Sequence, residues 1–186
     1  MPRWINFILA IWLSSLLWFP VLLIALLVTW TSPGPAIHWS TRVGRNNILF
    51  QMPKFRTMRT DAPDVATHLL TDADQFVTPL GKILRKTSLD ELPQLWSILR
   101  GEMVFVGPRP ALHNQDDLIK LRTENGVHQL VPGITGWAQI NGRDELTIPN
   151  KVDLDVYYLQ NRSFILDCKI LALTLLAVFK RKHISH

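Results

Sequence analysis

The hydrophobic pattern divides the chain into a long apolar start and a body of short, mixed segments. Residues 5–30 are almost entirely apolar and carry no charge. A helix of this length measures about 39 Å at 1.5 Å per residue, which exceeds the roughly 30 Å of a bilayer's hydrocarbon core. The run is too long for a secretory signal peptide, and no small-residue cleavage site follows it. The pattern therefore predicts a membrane helix.

Pro20 lies in the middle of this run and leaves two topologies open. A proline removes one helical hydrogen bond, so the segment either spans the membrane or turns back as a re-entrant hairpin whose freed backbone groups find partners. All lysines and arginines except Arg3 follow residue 30, beginning with Arg42 and Arg45. The positive-inside rule then predicts a cytoplasmic body, and a single span would put Arg3 on the opposite side, in mild conflict with that rule.

The pattern after residue 30 predicts a mainly helical body with a few short strands. Turn residues at 31–35 end the apolar run, and residues 44–47 have the composition of a hairpin turn. The other predicted elements are strands at 36–39, 48–51 and 103–106, helices at 111–126 and 151–158, a helix-and-loop excursion at 61–75, and a shaped, glycine-rich loop at 131–142.

One stretch combines two adjacent carboxylates with the predicted start of a helix. Asp90 and Glu91 stand there, and Arg85 and Lys86 precede them. A helix N-terminus carries free N–H groups and partial positive charge, which suit phosphate. The apolar positions expected to face the interior are Leu92, Leu95, Trp96 and Leu99, and Gly101 marks the end of the helix.

A purely structural interpretation of this stretch also stands. Ser88 and Glu91 have the spacing of a capping box, in which the glutamate only bonds the cap backbone. If Ser88 capped the helix, Pro93 would lie a little too far into it for the first turn, where proline is tolerated. Pro93 therefore favours a helix that starts later, with Asp90 near the cap. Adjacent residues on a regular helix point about 100° apart, so two neighbouring carboxylates reach one phosphate only at an irregular helix start.

Two basic stretches are further candidates for phosphate binding. Lys54 and Arg56 share one face of residues 54–59 if that run is extended; the alternative is an ordinary solvated basic strand. Arg109 lies between Pro108 and Pro110, which fix the backbone on both sides. An arginine held in this way presents a planar fork that matches phosphate oxygens, and the alternative is a rigid turn whose arginine has no ligand.

Composition narrows the partners and excludes several classes of protein. The 186 residues carry a formal net charge of +5, so an acidic partner is expected: nucleotide phosphate, anionic lipid or nucleic acid. The single cysteine, Cys168, excludes an internal disulfide, and no zinc-spaced Cys/His cluster, P-loop or GxGxxG motif occurs. Residues 164–179 are apolar but short for a span, with a basic end at 180–183, which predicts either an interfacial helix or a core helix with a solvated tail.

Together these stretches resemble the bacterial sugar transferase family, specifically its small monotopic polyprenyl-phosphate phosphoglycosyl transferases. The resemblance runs nearly from end to end. The matching stretches are residues 31–35, 42–44, 54–58, 85–101, 107–110, 132–143, 154–158 and 167–174.

The resemblance implies an α+β, predominantly helical monotopic membrane protein. Residues 1–30 would form a re-entrant membrane helix kinked near Pro20. Residues 31–186 would form a catalytic domain, with a small β-hairpin and interfacial amphipathic helices, at the cytoplasmic face of the bacterial inner membrane and its anionic headgroups. Nucleic acid is then not a partner.

The resemblance also implies an activity. Family members transfer a sugar-1-phosphate from a nucleotide sugar, usually a UDP-sugar, to undecaprenyl phosphate, as the first membrane step of a surface glycan pathway such as O-antigen, capsule or exopolysaccharide. UMP is released, Mg²⁺ is required, and the reaction is ping-pong through a covalent phosphosugar–aspartate. The runner-up from another class is a membrane-anchored interaction protein with a non-catalytic site.

Carried onto this chain, the resemblance assigns five residues. Asp90 would be the nucleophile and Glu91 its catalytic neighbour, and the two would form the Mg²⁺ site with Glu91 as the principal ligand. Lys54 and Arg85 would contact the substrate phosphates, and Arg109 would hold the nucleotide diphosphate.

The chain departs from the family pattern in a few places. Many members have serine where Phe19 precedes the proline, and a serine hydroxyl could satisfy a freed backbone group at the helix break. Arginine is frequent where this chain has Val131 before Pro132, so a phosphate contact there would be missing. Residues 143–146 also differ from some family members, and on the basis of the resemblance we expect an N-acetylated amino sugar as the substrate's sugar.

Overall fold

The computed structural model describes residues 1–62, 73–142 and 146–180. The predictions for most of the excursion at 61–75, for the sugar-related residues 143–145 and for the basic tail at 181–183 fall outside these ranges.

Most of the described chain is helical, as predicted. The helices are α1 (Arg3–Thr31), α2 (Ala73–Phe76), α3 (Pro79–Thr87), α4 (Leu95–Leu99), α5 (Asp116–Glu124), α6 (Trp137–Ile140), α7 (Ile148–Asn161) and α8 (Phe164–Lys180). The 3-10 segments are Arg45–Asn47, Leu89–Gln94 and Val127–Gln129. Strands β1 (Ile37–Val43) and β2 (Leu49–Phe55) form an antiparallel pair, and β3 (Val104–Val106) and β4 (Gly133–Thr135) form a parallel pair.

The predicted hairpin is confirmed, with strands longer than the sequence pattern indicates. Pairing runs from Ile37 opposite Phe55 to Val43 opposite Leu49. The turn is a 3-10 segment in which Asn46 adopts a left-handed conformation with φ of 54°, which asparagine tolerates better than most residues. The longer β2 matters for the site, because it carries residue 54 within a regular strand.

Helix α1 packs one face against the body along its whole length. Asn6 and Ala10 are buried near its start, and Ile24 and Val28 near its end. Its outer face exposes large apolar side chains: Trp4, Phe7, Ile8, Ile11, Trp12, Leu16, Trp18, Phe19, Leu22, Leu23, Leu26 and Trp30. Among the described helices, α1 alone is long and apolar enough to cross a membrane.

The assigned helix runs through Pro20 without interruption. Phe19 lies on the exposed face in an edge-on contact with Trp18, with ring centroids 5.8 Å apart. The re-entrant hairpin and its kink near Pro20 stay predictions.

Both ends of α1 are bound to the same folded body. Near the start, the Asn6 Oδ1 accepts a hydrogen bond from the Phe105 backbone N–H over 2.9 Å. Just after the end, the Arg56 guanidinium donates to the carbonyls of Ser32 and Pro33 over 2.5 and 2.6 Å. Ile24 also packs in an apolar cluster with Phe55 and Leu84.

The role expected for Arg56 is therefore corrected. Strand β2 ends at Phe55, so Lys54 and Arg56 do not continue as one solvated basic face. Arg56 is buried, and its guanidinium binds the carbonyls after α1. The prediction of a shared face assumed that the strand continues through Arg56, but β2 ends one residue before it.

The loop predicted at 131–142 is wrong in part, because this segment contains β4 and α6. A side chain at Gly133 would collide with the backbone of Gly107, so glycine here permits two chain segments to approach closely. A strand of only three residues is too short to give a periodic signal. The helix predicted at 111–126 also shortens to α5.

The predicted C-terminal helices are confirmed as α7 and α8. The first half of α8 belongs to the core, since Asp167 and Ile170 are fully buried. Tyr158 on α7 donates a hydrogen bond to Asp167 Oδ1 over 2.7 Å. Further along α8, Leu175 and Leu176 are exposed, so the helix combines a core face with an apolar outer face.

Candidate active site

The two carboxylates lie in a 3-10 segment between α3 and α4. Ser88 separates α3 from this segment in a left-handed conformation with φ of 57°. The Ser88 side chain makes no capping hydrogen bond, and the Glu91 carboxylate binds cations instead of the cap backbone. The capping-box interpretation is wrong, and the irregular helix start expected for Asp90 and Glu91 is confirmed.

The 3-10 segment also changes which residues face the interior. It contains three residues per turn where an α-helix has 3.6, so the apolar positions after it shift in phase. Trp96, which was expected to be buried, is 53% exposed, while Leu95, Ser97 and Ile98 are buried. Gly101 ends the helical stretch with φ of 75°, as the sequence predicted.

Glu91 is the shared partner of two predicted substrate-binding cations. Lys54 Nζ lies 3.1 Å from Glu91 Oε1, and Arg109 Nη2 lies 3.1 Å from the same oxygen. Lys54 comes from β2, and Arg109 from the turn that follows β3. Three segments distant in sequence therefore converge on one carboxylate.

Asp90 is buried beside this cluster, with 9% of the residue exposed. Burial raises the pKa of its carboxyl above the ordinary value, and the nearby Lys54 charge opposes that shift. Burial likewise lowers the pKa of the Lys54 ammonium, against the opposing effect of Glu91. The two groups thus have pKa values displaced towards each other, which is frequent at catalytic sites.

Arg85 is held at the site by a threonine that follows β2. It lies in the last turn of α3, and its Nε donates to Thr57 Oγ1 over 2.9 Å. A side chain at Gly81, one turn earlier, would collide with the Thr57 carbonyl. Glycine therefore lets α3 approach the end of β2 closely, and this brings Arg85 near Asp90, whose pKa its charge lowers.

The structure brings all five predicted site residues together: Lys54, Arg85, Asp90, Glu91 and Arg109. Sequence reasoning assigned no part in the site to four residues that hold the site residues or the backbone that carries them: Arg42, Thr57, Arg122 and Asp155. Arg122 and Asp155 are 33 residues apart, and no local pattern connects them.

The donor set fits a magnesium ion shared with a substrate. Mg²⁺ is commonly bound by one or two carboxylates together with substrate phosphates and water, and Asp90 and Glu91 are adjacent carboxylates. Within the described ranges, no group of three or more His, Cys, Asp or Glu side chains converges on a metal site. If Asp90 and Glu91 hold the ion, substrate and water oxygens would supply its remaining ligands.

Comparison with known proteins finds sugar transferases that match most of this chain. The chain is 46% identical over 143 residues to the uncharacterized sugar transferase EpsL of Bacillus subtilis, covering 76% of this chain and 68% of the relative. It is 42% identical over 166 residues to the undecaprenyl-phosphate glucose phosphotransferase of Komagataeibacter xylinus, covering 82% and 31%.

A third relative is the UDP-glucose:undecaprenyl-phosphate glucose-1-phosphate transferase of Escherichia coli, 40% identical over 166 residues that cover 86% of this chain and 36% of the relative. The chain thus spans about a third of the two larger relatives. The bacterial sugar transferase profile matches residues 1–181, and the chain belongs to the bacterial sugar transferase family.

Proposed function

We propose that this protein transfers a sugar-1-phosphate from a UDP-sugar to undecaprenyl phosphate and releases UMP. The observation that carries the proposal is the buried carboxylate of Asp90 next to Glu91, with Lys54, Arg85 and Arg109 around the pair. The activities named for the K. xylinus and E. coli relatives support the same chemistry.

The reaction proceeds in two displacements at one phosphorus atom. An Asp90 oxygen bonds to the sugar-bearing phosphorus of the UDP-sugar, and the bond from that phosphorus to the bridging oxygen breaks, so UMP leaves. An oxygen of undecaprenyl phosphate then attacks the same phosphorus, and the bond to Asp90 breaks. The products are undecaprenyl diphosphate sugar and a regenerated carboxylate. A buried carboxylate with little hydrogen bonding is a suitable nucleophile for this ping-pong scheme.

The cations around Asp90 bind and orient the diphosphate. Arg109 presents a planar fork to its oxygens, and Lys54 and Arg85 add positive charge beside Asp90. Glu91 keeps Lys54 and Arg109 in place through its Oε1. Asp90 and Glu91 would hold a magnesium ion, which when bound offsets the charge that develops on the leaving UMP.

The contacts of α1 support a monotopic arrangement at the membrane. A straight span would carry one end of α1 to the opposite side of the bilayer. Instead the body contacts Asn6 at one end and Ser32 just beyond the other, while the outer face exposes apolar and tryptophan side chains. The outer face enters the lipid, and the body lies at the cytoplasmic face of the inner membrane, where its net positive charge meets anionic headgroups.

The sugar is the specific part of the proposal that the relatives do not support. The relatives from K. xylinus and E. coli are named for glucose, whereas residues 143–146 suggest an N-acetylated amino sugar. A panel of UDP-glucose, UDP-galactose and their N-acetylated amino counterparts, assayed for UMP release, separates these substrates.

The test of the covalent mechanism is to trap the intermediate. The purified protein is incubated with Mg²⁺ and its best UDP-sugar but without acceptor, and the peptide containing Asp90 is weighed by mass spectrometry. We expect the mass of one sugar phosphate on that peptide and one equivalent of UMP. Asp90→Asn should give neither, whereas Asp153→Asn, an exposed aspartate on α7, should give both.

Two outcomes would reject the proposal. Full turnover in Asp90→Asn would exclude the nucleophile. Absence of UMP release by the wild-type protein with every UDP-sugar would favour the membrane-anchored interaction protein.

A further inference from the structure

The turn that presents Arg109 is held through four successive backbone carbonyls. Each carbonyl from residue 108 to residue 111 accepts a hydrogen bond from a donor outside the turn. The pairs are Gly133 N to Pro108 O (2.9 Å), Arg122 Nη1 to Arg109 O (2.8 Å), Arg42 Nη1 to Pro110 O (3.3 Å) and Val43 N to Ala111 O (2.9 Å). A short turn without regular secondary structure thus has a fixed backbone path.

The donor to the Arg109 carbonyl is itself fixed by a buried carboxylate. Arg122 on α5 is 8% exposed, and Asp155 on α7 is 2% exposed. Arg122 Nε and Nη2 donate to Asp155 Oδ2 over 3.0 and 2.6 Å. Its remaining terminal nitrogen, Nη1, donates to the Arg109 carbonyl. Because the guanidinium is planar and rigid, the position of Asp155 sets the position of that carbonyl.

Stability alone does not explain this ion pair. A buried ion pair costs desolvation, and apolar residues of similar volume often stabilise a core as well or better. Burial indeed raises the pKa of Asp155, while Arg122 opposes that shift. An apolar pair could fill the space between α5 and α7, but it could not donate a hydrogen bond to Arg109.

We propose that Arg122 and Asp155 are positioning residues for Arg109. They fix the backbone of residue 109 so that its guanidinium stays within hydrogen-bonding distance of Glu91 Oε1, at 3.1 Å, and is preoriented for the diphosphate of the nucleotide sugar. This inference rests on the proposed function, because Arg109 is the residue proposed to bind the nucleotide diphosphate. The two residues that would position it lie on α5 and α7, outside the 3-10 segment that carries Asp90.

The kinetic test is a double-mutant cycle between Arg122 and Arg109. Arg122→Lys keeps the charge but cannot bind the carboxylate and the carbonyl at once. We expect KM for the UDP-sugar to rise about tenfold or more, because a small displacement of a substrate-positioning group has a large effect, with a smaller change in kcat. In a protein that already carries Arg109→Ala, adding Arg122→Lys should raise KM by less than about twofold, because both substitutions act through the same contact.

A matched control uses an exposed Arg–Asp ion pair with the same two donor nitrogens and the same donor–acceptor distances. Arg59 Nε and Nη2 donate to Asp61 over 3.0 and 2.6 Å, at the surface. Arg59→Lys should leave KM and kcat unchanged. Asp155→Asn is the milder second variant if Arg122→Lys fails to fold in thermal unfolding. It should raise KM in the same direction.

Multiplicative effects of Arg122→Lys and Arg109→Ala would overturn the inference, since a merely structural pair acts independently of Arg109. Hydrogen exchange at the Val43 and Gly133 amides, which donate to this turn, supplies a readout without catalysis. Faster exchange in Arg122→Lys supports the inference, and unchanged exchange overturns it, even if the wild-type protein released no UMP and the proposed function had failed.

Discussion

Lys54 donates its hydrogen bond to Glu91, over 3.1 Å, and not to Asp90. Asp90 has no hydrogen bond from another side chain in the described part of the chain, although the Lys54 charge is close enough to lower its pKa. The lysine therefore fixes the position of the Glu91 carboxylate, an arrangement that agrees with the nucleophile role proposed for Asp90.

The rate of the first displacement should fall in acid at a higher pH than an ordinary aspartate would give. Burial raises the pKa of Asp90, and only the ionised carboxylate is a nucleophile. As pH falls, activity should be lost at pH values above the ordinary aspartate pKa of about 3.9. The measurement is the rate of the UMP burst without acceptor against pH. An acid limb at or below that value would contradict the assignment.

The alkaline side of the same profile should depend on Lys54. Burial lowers its pKa below 10.5, so activity should decline as this ammonium loses its proton. In Lys54→Arg the guanidinium stays charged, and the alkaline limb should move up by at least about one pH unit, at a lower maximal rate. If the alkaline limb of Lys54→Arg were unchanged, the loss of activity at high pH would belong to another group. Lys82→Arg, on α3, is the control and should leave the limb where it is.

Glu91→Gln should weaken the response to magnesium. Removing one carboxylate from the pair lowers the charge of the oxygen donors, so the Mg²⁺ concentration for half-maximal UMP release should rise about tenfold or more. The control is Glu102→Gln, whose carboxylate pairs with Arg100 away from the cluster. If Glu91→Gln and the wild-type protein needed the same Mg²⁺ concentration for half-maximal UMP release, Glu91 would not be a ligand of the metal.

Thr57→Val should weaken substrate binding through Arg85. The valine keeps the shape of the side chain but loses the oxygen that accepts from Arg85 Nε. The loss of one hydrogen bond to a charged group corresponds to roughly 1.5–3 kcal/mol, which should appear mainly in KM for the UDP-sugar. Thr41→Val removes a comparable contact, with Gln51 on the exposed hairpin, and should leave KM unchanged.

The topology of α1 can be tested by cysteine labelling. Cys168 is exposed and is first replaced by serine. Single cysteines are then placed at Arg3, at the start of the helix, and at Pro35, an exposed position just beyond its end. Because both ends contact one body, an impermeant thiol reagent should label both positions in inside-out vesicles and neither in intact cells. Labelling of position 3 in intact cells would establish a single span.

The five site residues could be predicted because each belongs to a short local pattern. Asp90 and Glu91 stand at a predicted helix start just after Arg85, Lys54 begins the basic run 54–59, and Arg109 is flanked by prolines. The bonds between them could not be predicted. Nothing local to residue 91 indicates that Lys54 and Arg109 meet on one of its oxygens, since the partners are 37 and 18 residues away.

The failures have equally specific causes. Trp96 was placed in the interior because the helical period was counted through the 3-10 segment, where that period does not hold. Gly133 and Gly107 were assigned to loops, although their lack of side chains is what allows β3 and β4 to pair. Arg122 and Asp155 gain their role only when α5 and α7 pack together.

The bonds from Arg56 to the carbonyls of Ser32 and Pro33 join the end of the N-terminal helix to the segment that directly follows β2. Residue 56 follows Lys54 by two positions, an extended distance of about 7 Å, so a displacement of the helix end would be passed on to the strand that carries Lys54. Deleting residues 1–31 to obtain a water-soluble transferase should fail. It would uncover Phe55 and Leu84 and disturb β2, the strand that carries Lys54.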